Sequence, residues 1–539
     1  GVPDIPPALA ERLRQYRNTR SAWLLDWLDK GVLVTTRFAD SPQLHRVRAP
    51  GAAREQLTFF PEPVRQAFVP PVNAERGFIY SRDVGGSEFY QLFCIDFASG
   101  QSRLLTDGKS RYTQVRWANA GDRFAYTTTE RDGVRWDIHV QNLQGQITPV
   151  LETEVGAWVA LDWSPDDARL LILRYVSVNE AYLYELELAS GALTPLLDKG
   201  SEVGISDARY APGGRGVYFL ADLGAEFMRL HHLNLDGGEL RVLTAGVPWD
   251  IEEFAVAGDG RHLAYVINED GLSQLRVLNV PDHTPIALPD VPAGMLHGLR
   301  FAPSGEALAF IVDGPTSAAD VYSVGLASRQ LQRWTHSEIG GLNVDNFVSP
   351  ELVRYPTFDG RQIPAYVYCP TGAGPHPVLV AIHGGPAAQY RPRFSPSIQY
   401  YAAELGICVI APNVRGSAGY GKSYLKLDDG YLREDSVRDI GALLDWIGAQ
   451  PDLDAKRVAV SGGSYGGYMV LASMVHYSSR LAAGLERVGI SNFVTFLENT
   501  QGYRRDLRRV EYGDERIPEM RAFLERIAPL NQVDKITKP

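Results

Sequence analysis

The chain has 539 residues, which is long enough for two or more hydrophobic cores, since single cores stop growing well short of that length. Hydrophobic residues make up 45% of it and charged residues 22%, which excludes a disordered or fibrous protein. The formal net charge of −11 comes from acids spread along the chain. Because nucleic acids and anionic membranes are bound by basic patches, neither is an expected partner.

Localisation signals are weak. No run of about 18 apolar residues predicts a membrane span. The first residues include neither an initiator Met nor an apolar leader, so a signal peptide is either absent or already removed. We expect a cytoplasmic protein, and leave the periplasm or secretion after leader removal open.

The three cysteines, Cys94, Cys369 and Cys408, are far apart and have no histidine ligands nearby. This spacing supports neither a disulfide framework nor a zinc site. Cys369 and Cys408 both lie in strand-like apolar runs. We therefore expect them to be buried, unreactive thiols.

A repeat of about 45 residues occupies the first part of the chain. Its recurring element is an aromatic or apolar residue, a small residue and a turn, as in "WANAG" and "WSPDD", and a β-rich run follows each turn. The turns end at Gly31, Gly77, Gly121, Asp167, Gly214, Gly260 and Gly305. About four short strands per unit is the size of a β-propeller blade, so seven units between about 21 and 336 predict a seven-bladed propeller.

The repeat residues are interpreted as architectural. Gly and Asp tolerate tight turns, and the preceding aromatic residues are expected to pack between blades. Adjacent His231 and His232 raise the alternative of a metal site. Neighbouring strand residues point to opposite faces and no carboxylate cluster accompanies them, so we favour no metal there.

From about residue 345 the pattern changes. The segment "PELVRYPTFDGRQIPAYVYCP" predicts an antiparallel hairpin turning at Asp359 and Gly360. Apolar strands at 376–386, 406–416 and 456–464 then end in glycine-rich loops, and "SVRDIGALLDWIGAQ" has helical spacing. Apolar strands alternating with helices predict an α/β domain with a parallel sheet buried on both faces.

The sequence "GGSYG" fits G-x-S-x-G, with a predicted strand before it and a helix after it. This context makes Ser464 a candidate nucleophile on a strained turn, and the backbone N–H of Tyr465 a candidate oxyanion donor. Strand-to-helix turns rich in Gly and Ser also bind phosphate. The sequence "HGGP" from His383 to Pro386, placed after an earlier strand, favours the nucleophile because such folds supply a second donor there.

With "HGGP", "NVRGSAGYG" and "GGSYGGYM" behind a seven-bladed propeller, the chain resembles the prolyl oligopeptidase family of serine peptidases. The "HGGP" form is most similar to the acylaminoacyl-peptidase-like branch. The resemblance implies Ser464 as nucleophile, the N–H groups of Gly385 and Tyr465 as the oxyanion hole, and His383 beside that hole without being the triad base. We expect no cofactor and no metal.

The resemblance also implies the domain plan: residues 1–20 pack with the hydrolase domain, 21–340 form the propeller and 341–539 form an α/β-hydrolase domain that is incomplete at its C-terminus. The propeller is expected to cap the site and restrict it to short peptides. We leave homo-oligomerisation open.

Two glutamates in "WDIEEF", Glu252 and Glu253, resemble the pair with which dipeptidyl peptidases hold a substrate amino terminus. Their place in the repeat, just before the turn at Gly260, favours ordinary strand residues instead. An amine-binding role is kept as the minor alternative.

The triad partners of Ser464 are not evident. In α/β-hydrolases the order is Ser, then acid, then His. His476 is the one later histidine and lies twelve residues on, about 18 Å along a helix, so it is not the base. His376 and His383 precede Ser464. We expect the triad Asp and His beyond Pro539, and a truncated pseudoenzyme is the alternative.

The predicted function is therefore hydrolysis of short peptides through an acyl-enzyme. Two alternatives stay open: an esterase or lipase with the same nucleophile, and a non-catalytic propeller used for binding, whose hydrolase domain is truncated and vestigial.

Overall fold

The computed structural model describes residues 4–154, 156–197 and 202–539. Within them, seven four-stranded antiparallel sheets precede one six-stranded mixed sheet with helices. The predicted architecture, a seven-bladed β-propeller followed by an α/β-hydrolase domain, is confirmed.

Each blade is a meander of four consecutive strands. The blades are β1–β4 (Trp23–Trp27, Val32–Thr36, Gln43–Val47, Arg54–Gln56), β5–β8 (Gln66–Phe68, Gly77–Arg82, Gln91–Asp96, Ser102–Leu104), β9–β12 (Tyr112–Trp117, Arg123–Thr128, Asp137–Asn142, Ile147–Leu151), β13–β16 (Ala157–Trp163, Arg169–Ser177, Glu180–Glu187, Leu193–Pro195), β17–β20 (Ile205–Tyr210, Gly216–Ala221, Arg229–Asn234, Leu240–Val242), β21–β24 (Asp250–Val256, His262–Glu269, Leu272–Asn279, Pro285–Ile286) and β25–β28 (Met295–Phe301, Ala307–Gly314, Ser317–Gly325, Leu331–Arg333).

The repeat explains this geometry. Six of the turn residues lie between the first and second strands of their blades, and Gly77 begins the second strand of its blade. All seven adopt positive φ, which glycine tolerates and Asp accepts more readily than most residues. Second strands such as β18 are buried along their whole length because neighbouring blades cover both faces. The aromatic residues before the turns pack at these contacts, as Trp163 and Tyr210 do.

The second domain is built on a sheet in the order β29-β30-β32-β31-β33-β34. Its strands are β29 (Glu351–Pro356), β30 (Gln362–Tyr368), β31 (His376–Ile382), β32 (Cys408–Pro412), β33 (Leu453–Gly463) and β34 (Ala483–Arg487). The first two strands form the predicted antiparallel hairpin, and β32, β31, β33 and β34 run parallel. The carboxyl ends of β31 and β33 therefore lie side by side.

Helices cover this sheet. They are α1 (Pro7–Arg17), α2 (Pro396–Gln399), α3 (Lys422–Leu425), α4 (Arg433–Gly448), α5 (Tyr465–Tyr477), α6 (Phe493–Asn499), α7 (Gly502–Tyr512) and α8 (Pro518–Ile527). Both α4 and α5 pack on β33, where Val458 and Val460 are buried. Since β33 leads directly into α5, the sheet core fixes the direction of the turn that carries Ser464.

Helix α1 contacts the hydrolase domain. The Tyr16 hydroxyl donates to Glu404 Oε1 at 2.8 Å, the Arg12 guanidinium pairs with the same carboxylate, and the Tyr16 ring packs edge-on against Tyr400. The Glu404 carboxylate thus connects Tyr16 and Arg12 of α1 to the segment before β32.

The expectation of two buried free thiols is wrong for Cys369 and Cys408, which form a disulfide. Strand β30 pairs antiparallel with β32, and Tyr368 lies opposite Val409. The next position therefore places Cys369 opposite Cys408, a cross-strand approach close enough for a disulfide. The 39-residue separation hid this pairing from sequence reasoning. Cys94 is a free cysteine.

Across the described ranges, no helix combines the length and apolarity that crossing a bilayer requires.

Candidate active site

Ser464 occupies a sharp turn between β33 and α5. Its backbone has φ 57° and ψ −123°, a conformation that side chains other than glycine rarely adopt. The turn is held from both sides: Ser464 N–H donates to Arg487 O at 3.0 Å, and Ser464 O accepts from Gly467 N at 2.9 Å. The Ser464 side chain is exposed although its neighbour Tyr465 is buried. The strain therefore presents the hydroxyl at the surface of the hydrolase domain.

Gly462 and Gly466, on either side of Ser464, have no space for a side chain. A Cβ on Gly462 would lie 2.4 Å from Gly466 O, and a Cβ on Gly466 would lie 2.4 Å from Ile382 O. Both distances are far shorter than any van der Waals contact. The turn thus passes so close to the end of β31 that only glycine fits at these two positions.

The "HGGP" loop lies against this turn, because β31 and β33 are parallel neighbours with Ile382 opposite Gly462. A Cβ on Gly384 would be 3.6 Å from Ser464 Cβ. Gly385 has φ 132°, a value open to glycine. In the part of the chain that the structure describes, the N–H of Gly385 donates to no acceptor. The N–H of Tyr465 is the first of α5 and has no intrahelical acceptor.

His383 is partly buried beside this loop. Its Nδ1 lies 2.7 Å from Gly384 O and its Nε2 lies 2.9 Å from Ser417 Oγ. Burial lowers the pKa of the His383 ring, so the ring is neutral at pH 7. Both ring nitrogens are thus occupied by groups other than Ser464.

The other histidines near the sheet do not reach the serine. His476 lies in the last turn of α5 and its Nε2 is 2.8 Å from Glu434 Oε1, while His376 begins β31 at the opposite end of that strand. Among the described residues, no histidine nitrogen is hydrogen bonded to Ser464 Oγ. The structure therefore brings together Ser464, Gly385, Tyr465 and His383, without a base on the serine.

A cavity of 620 Å³ opens in front of Ser464 between the two domains. The propeller contributes the tip of the hairpin between β14 and β15, including Val178 and Asn179, and the hydrolase domain contributes α7 with Arg508 and Glu511. Arg508 and Glu511 form an ion pair at 2.7 Å. A substrate at Ser464 would thus be enclosed by both domains.

Sequence reasoning missed a buried polar cluster under Ser464. The Tyr465 hydroxyl donates to Asp428 Oδ2 at 2.9 Å, and Arg433 Nη1 donates to the same oxygen at 2.6 Å. Burial raises the pKa of Asp428 to about 6 although Arg433 opposes the shift. Arg433 is fully buried. Arg433 opens α4 in the charged stretch "REDSVRD", so no local pattern in the sequence pointed to its burial.

The two glutamates of "WDIEEF" have different partners. Glu253 accepts from the N–H groups of Gly298 and Leu299 at 2.9 and 2.8 Å and so links two blades. Glu252 instead pairs with Arg391 of the hydrolase domain at 2.5 Å. It lines a second cavity of 490 Å³ between the domains. The position in the repeat thus accounts for Glu253, which links neighbouring blades. It does not account for the pairing of Glu252 with the hydrolase domain.

In the described parts of the chain, no group of three or more His, Cys, Asp and Glu side chains is arranged to hold a metal ion.

Comparison with known proteins gives one family. Residues 392–539 match the model of the prolyl oligopeptidase family. The dipeptidyl aminopeptidase BIII of Pseudoxanthomonas mexicana is 28% identical over 499 residues, which is 86% of this chain and 69% of that protein. The uncharacterized peptidase YuxL of Bacillus subtilis is 30% identical over 211 residues, 37% of this chain and 31% of that protein. The alignment with dipeptidyl-peptidase 5 of Porphyromonas gingivalis, at 26% identity, spans half of that protein.

Solved structures share the fold. A puromycin hydrolase superposes with a TM-score of 0.85 at 19% identity, covering 100% of this chain and 87% of that one. A prolyl endopeptidase from a study of inter-domain dynamics superposes equally well, covering 98% and 80%. At this identity the likeness shows the arrangement of the two domains and nothing of their substrates.

Proposed function

We propose that this protein is a serine peptidase that hydrolyses short peptides through an acyl-enzyme on Ser464. The match of residues 392–539 to the model of the prolyl oligopeptidase family supports this proposal. The observation that carries the proposal is the strained, exposed turn at Ser464, which faces a cavity between the domains. Strain of this kind persists where a reactive side chain has to be presented.

The chemistry proposed for the site has two steps. The Ser464 hydroxyl attacks the substrate carbonyl, and the N–H groups of Gly385 and Tyr465 stabilise the oxyanion that forms. Collapse of the tetrahedral intermediate releases the amine and leaves an ester on Ser464, which water then hydrolyses. His383 supports the loop that carries Gly385 and transfers no proton to or from the serine.

The general base and its acid are proposed to be a His and an Asp on a segment after Pro539. Support comes from β34, which pairs with β33 on one side and, through Gly484 N–H, with Pro539 O at 2.9 Å on the other. Leu485 in β34 and Val488 just after it are 51% and 88% exposed. A further parallel strand would cover them and bring its carboxyl end to the same edge of the sheet as Ser464.

The propeller is proposed to limit substrate size. It covers the cavity in front of Ser464 with the hairpin between β14 and β15, so a folded protein would collide with the blades. The "HGGP" loop is the feature that favours activity of the acylaminoacyl-peptidase type within the family.

Fluorophosphonate labelling of the full-length protein, including the segment proposed after Pro539, tests the nucleophile. We expect one adduct, on Ser464 by peptide mass spectrometry, and loss of both labelling and peptide hydrolysis by more than about a thousandfold in Ser464→Ala. The matched control is Ser461→Ala, three residues earlier on β33, which should be labelled normally.

Substrate class is tested with the same preparation. Acylated and free peptides of about ten residues should be cleaved, whereas unfolded casein should not. An unlabelled wild-type protein, or one that cleaves simple esters and no peptide, would contradict the peptidase proposal.

A further inference from the structure

Tyr512 connects two distant parts of the candidate site. It is the last residue of α7 and is 2% exposed. Its hydroxyl donates to Gly385 O at 2.9 Å, across 127 residues of sequence. The bond therefore runs from α7 to the loop that carries one of the two proposed oxyanion donors.

Gly385 needs an external restraint. At φ 132° a Cβ on this residue would lie 2.9 Å from Ala387 N and 3.0 Å from Ala388 N, so glycine is required. Glycine limits its own dihedral angles less than any other residue does. The N–H of Gly385 belongs to the peptide unit of the Gly384 carbonyl, which lies 2.7 Å from His383 Nδ1, and the Tyr512 bond holds the carbonyl on the other side of the Gly385 Cα. The two contacts together restrict the direction of the Gly385 N–H.

The Tyr512 ring is itself held beside the other donor. It stacks on the Tyr465 ring with centroids 6.2 Å apart and an angle of 18°, and packs against Phe493 at 5.1 Å. Tyr465 carries the second proposed oxyanion N–H on its backbone. The two aromatic side chains thus join the two sides of the hole.

Arg433 lies at the centre of this arrangement. Its guanidinium carbon is 5.2 Å from the Tyr465 ring and 5.6 Å from the Tyr512 ring. Nη1 donates to Asp428 Oδ2, and Nη2 donates to Glu511 O at 2.7 Å, next to Tyr512 in the chain. A buried cation whose donors are used on both sides fixes the two rings relative to each other.

We propose that Tyr512 is a positioning residue: its hydroxyl holds the Gly385 carbonyl so that the Gly385 N–H meets the oxyanion, and Arg433 keeps the Tyr512 ring in place. The inference rests on the proposed function, because the oxyanion exists only if Ser464 attacks a carbonyl. Stabilisation by such donors depends on their direction, and a loop that rotates freely loses part of it.

Tyr512→Phe tests this, since it removes one oxygen and keeps the ring contacts. We expect kcat for peptide hydrolysis to fall about tenfold with KM changed less than about twofold, the pattern of an interaction made in the transition state. The inhibition constant of a peptide aldehyde, whose adduct places an oxyanion in the same hole, should rise about tenfold as well.

Tyr468→Phe is the matched control. Tyr468 is fully buried in the same aromatic cluster, and its hydroxyl has no hydrogen-bond partner within the described ranges. Its kcat, KM and aldehyde inhibition constant should stay within about twofold of the wild type. Equal melting temperatures for the two variants show that both fold.

The outcomes separate the two proposals. A wild-type protein that hydrolyses peptides, with a Tyr512→Phe variant whose kcat and aldehyde inhibition are unchanged, overturns the positioning role and leaves the peptidase intact. A wild-type protein with no Ser464 adduct overturns the proposed function itself. If Tyr512→Phe and Tyr468→Phe both raise KM and lower kcat to the same extent, Tyr512 contributes only packing, and its positioning role is overturned.

Discussion

At the scale of single residues, Ser464 combines an unfavourable backbone conformation with an exposed hydroxyl. Its positive φ is sustained because the residues on either side cannot move: Gly462 and Gly466 touch each other and the end of β31. The two proposed oxyanion donors, the N–H groups of Gly385 and Tyr465, adjoin the same turn. The reactive geometry thus depends on glycines that carry no chemistry of their own.

A side chain at position 466 should destabilise the turn that carries Ser464. In Gly466→Ala the new Cβ would lie 2.4 Å from Ile382 O and 2.7 Å from His383 O, both backbone atoms that cannot swing away. We expect a loss of about 2–3 kcal/mol in the free energy of unfolding of the hydrolase domain, with fluorophosphonate labelling of Ser464 reduced at least tenfold.

The control for this variant is Gly448→Ala. Gly448 ends α4, and a Cβ there meets nothing within 4 Å. The same substitution should be neutral or stabilise by about 0.5–1 kcal/mol, because alanine is the better helix former. A Gly466→Ala variant that melts and labels like the wild type would show that the turn relaxes more than these distances allow.

At the scale of elements, the disulfide joins two strands that β31 separates in sequence but not in space. Cys369 follows β30 and Cys408 begins β32, and the antiparallel pairing of these strands places the two residues opposite each other. The bond closes a loop that contains β31 and the whole "HGGP" segment. It therefore restrains the chain on both sides of the proposed oxyanion loop.

Thiol counting tests the disulfide. In protein purified without reductant and unfolded in guanidinium, we expect alkylation of one cysteine, Cys94; after reduction, all three should react. The reduced protein should lose about 4 kcal/mol of stability, the effect of opening a loop with this 39-residue separation.

The control is Cys94→Ala, which should show no alkylation before reduction and two groups after it. Three reactive thiols in the unreduced wild type would contradict the pairing.

At the scale of the whole molecule, the two domains are joined by charged side chains around the cavities. Arg391 is the most extensive of these contacts: it pairs with Glu252, donates to Gly271 O at 2.8 Å and donates to Ser273 Oγ at 2.9 Å. Its side chain is 10% exposed. Lys426 pairs with Glu202 on another blade at 2.7 Å. Charged pairs therefore hold the domains together around both cavities, with Arg391–Glu252 at the second cavity and Lys426–Glu202 at the cavity in front of Ser464.

Arg391→Met should loosen this interface. The substitution leaves Glu252 partly buried with Asn268 alone, and removing one partner of such a pair costs about 2 kcal/mol or more. We expect an increased radius of gyration by small-angle scattering and faster tryptic cleavage between the domains, with secondary structure unchanged.

Arg215→Met is the matched control, since its ion pair with Asp236 is 85% and 70% exposed and far weaker. Its scattering curve and cleavage rate should match those of the wild type. An Arg391→Met variant with the same radius and the same cleavage rate would mean that the interface does not rely on this contact.

The sequence by itself determined the architecture and the candidate nucleophile. Propeller repeats and apolar strands are local patterns. A Gly or Asp turn about every 45 residues predicts blades, and an apolar strand that leads into "GGSYG" predicts a strand–turn–helix with an exposed serine. The G-x-S-x-G motif also predicted the strand–turn–helix around Ser464. The roles of Ser464, Gly385 and Tyr465 in catalysis stay predictions. Tertiary structure alone decided the Cys369–Cys408 bond, the different partners of Glu252 and Glu253, and the cluster of Arg433, Tyr465 and Tyr512. These contacts join residues far apart in sequence, and their pairing is set by strand register and domain packing, which no local pattern encodes.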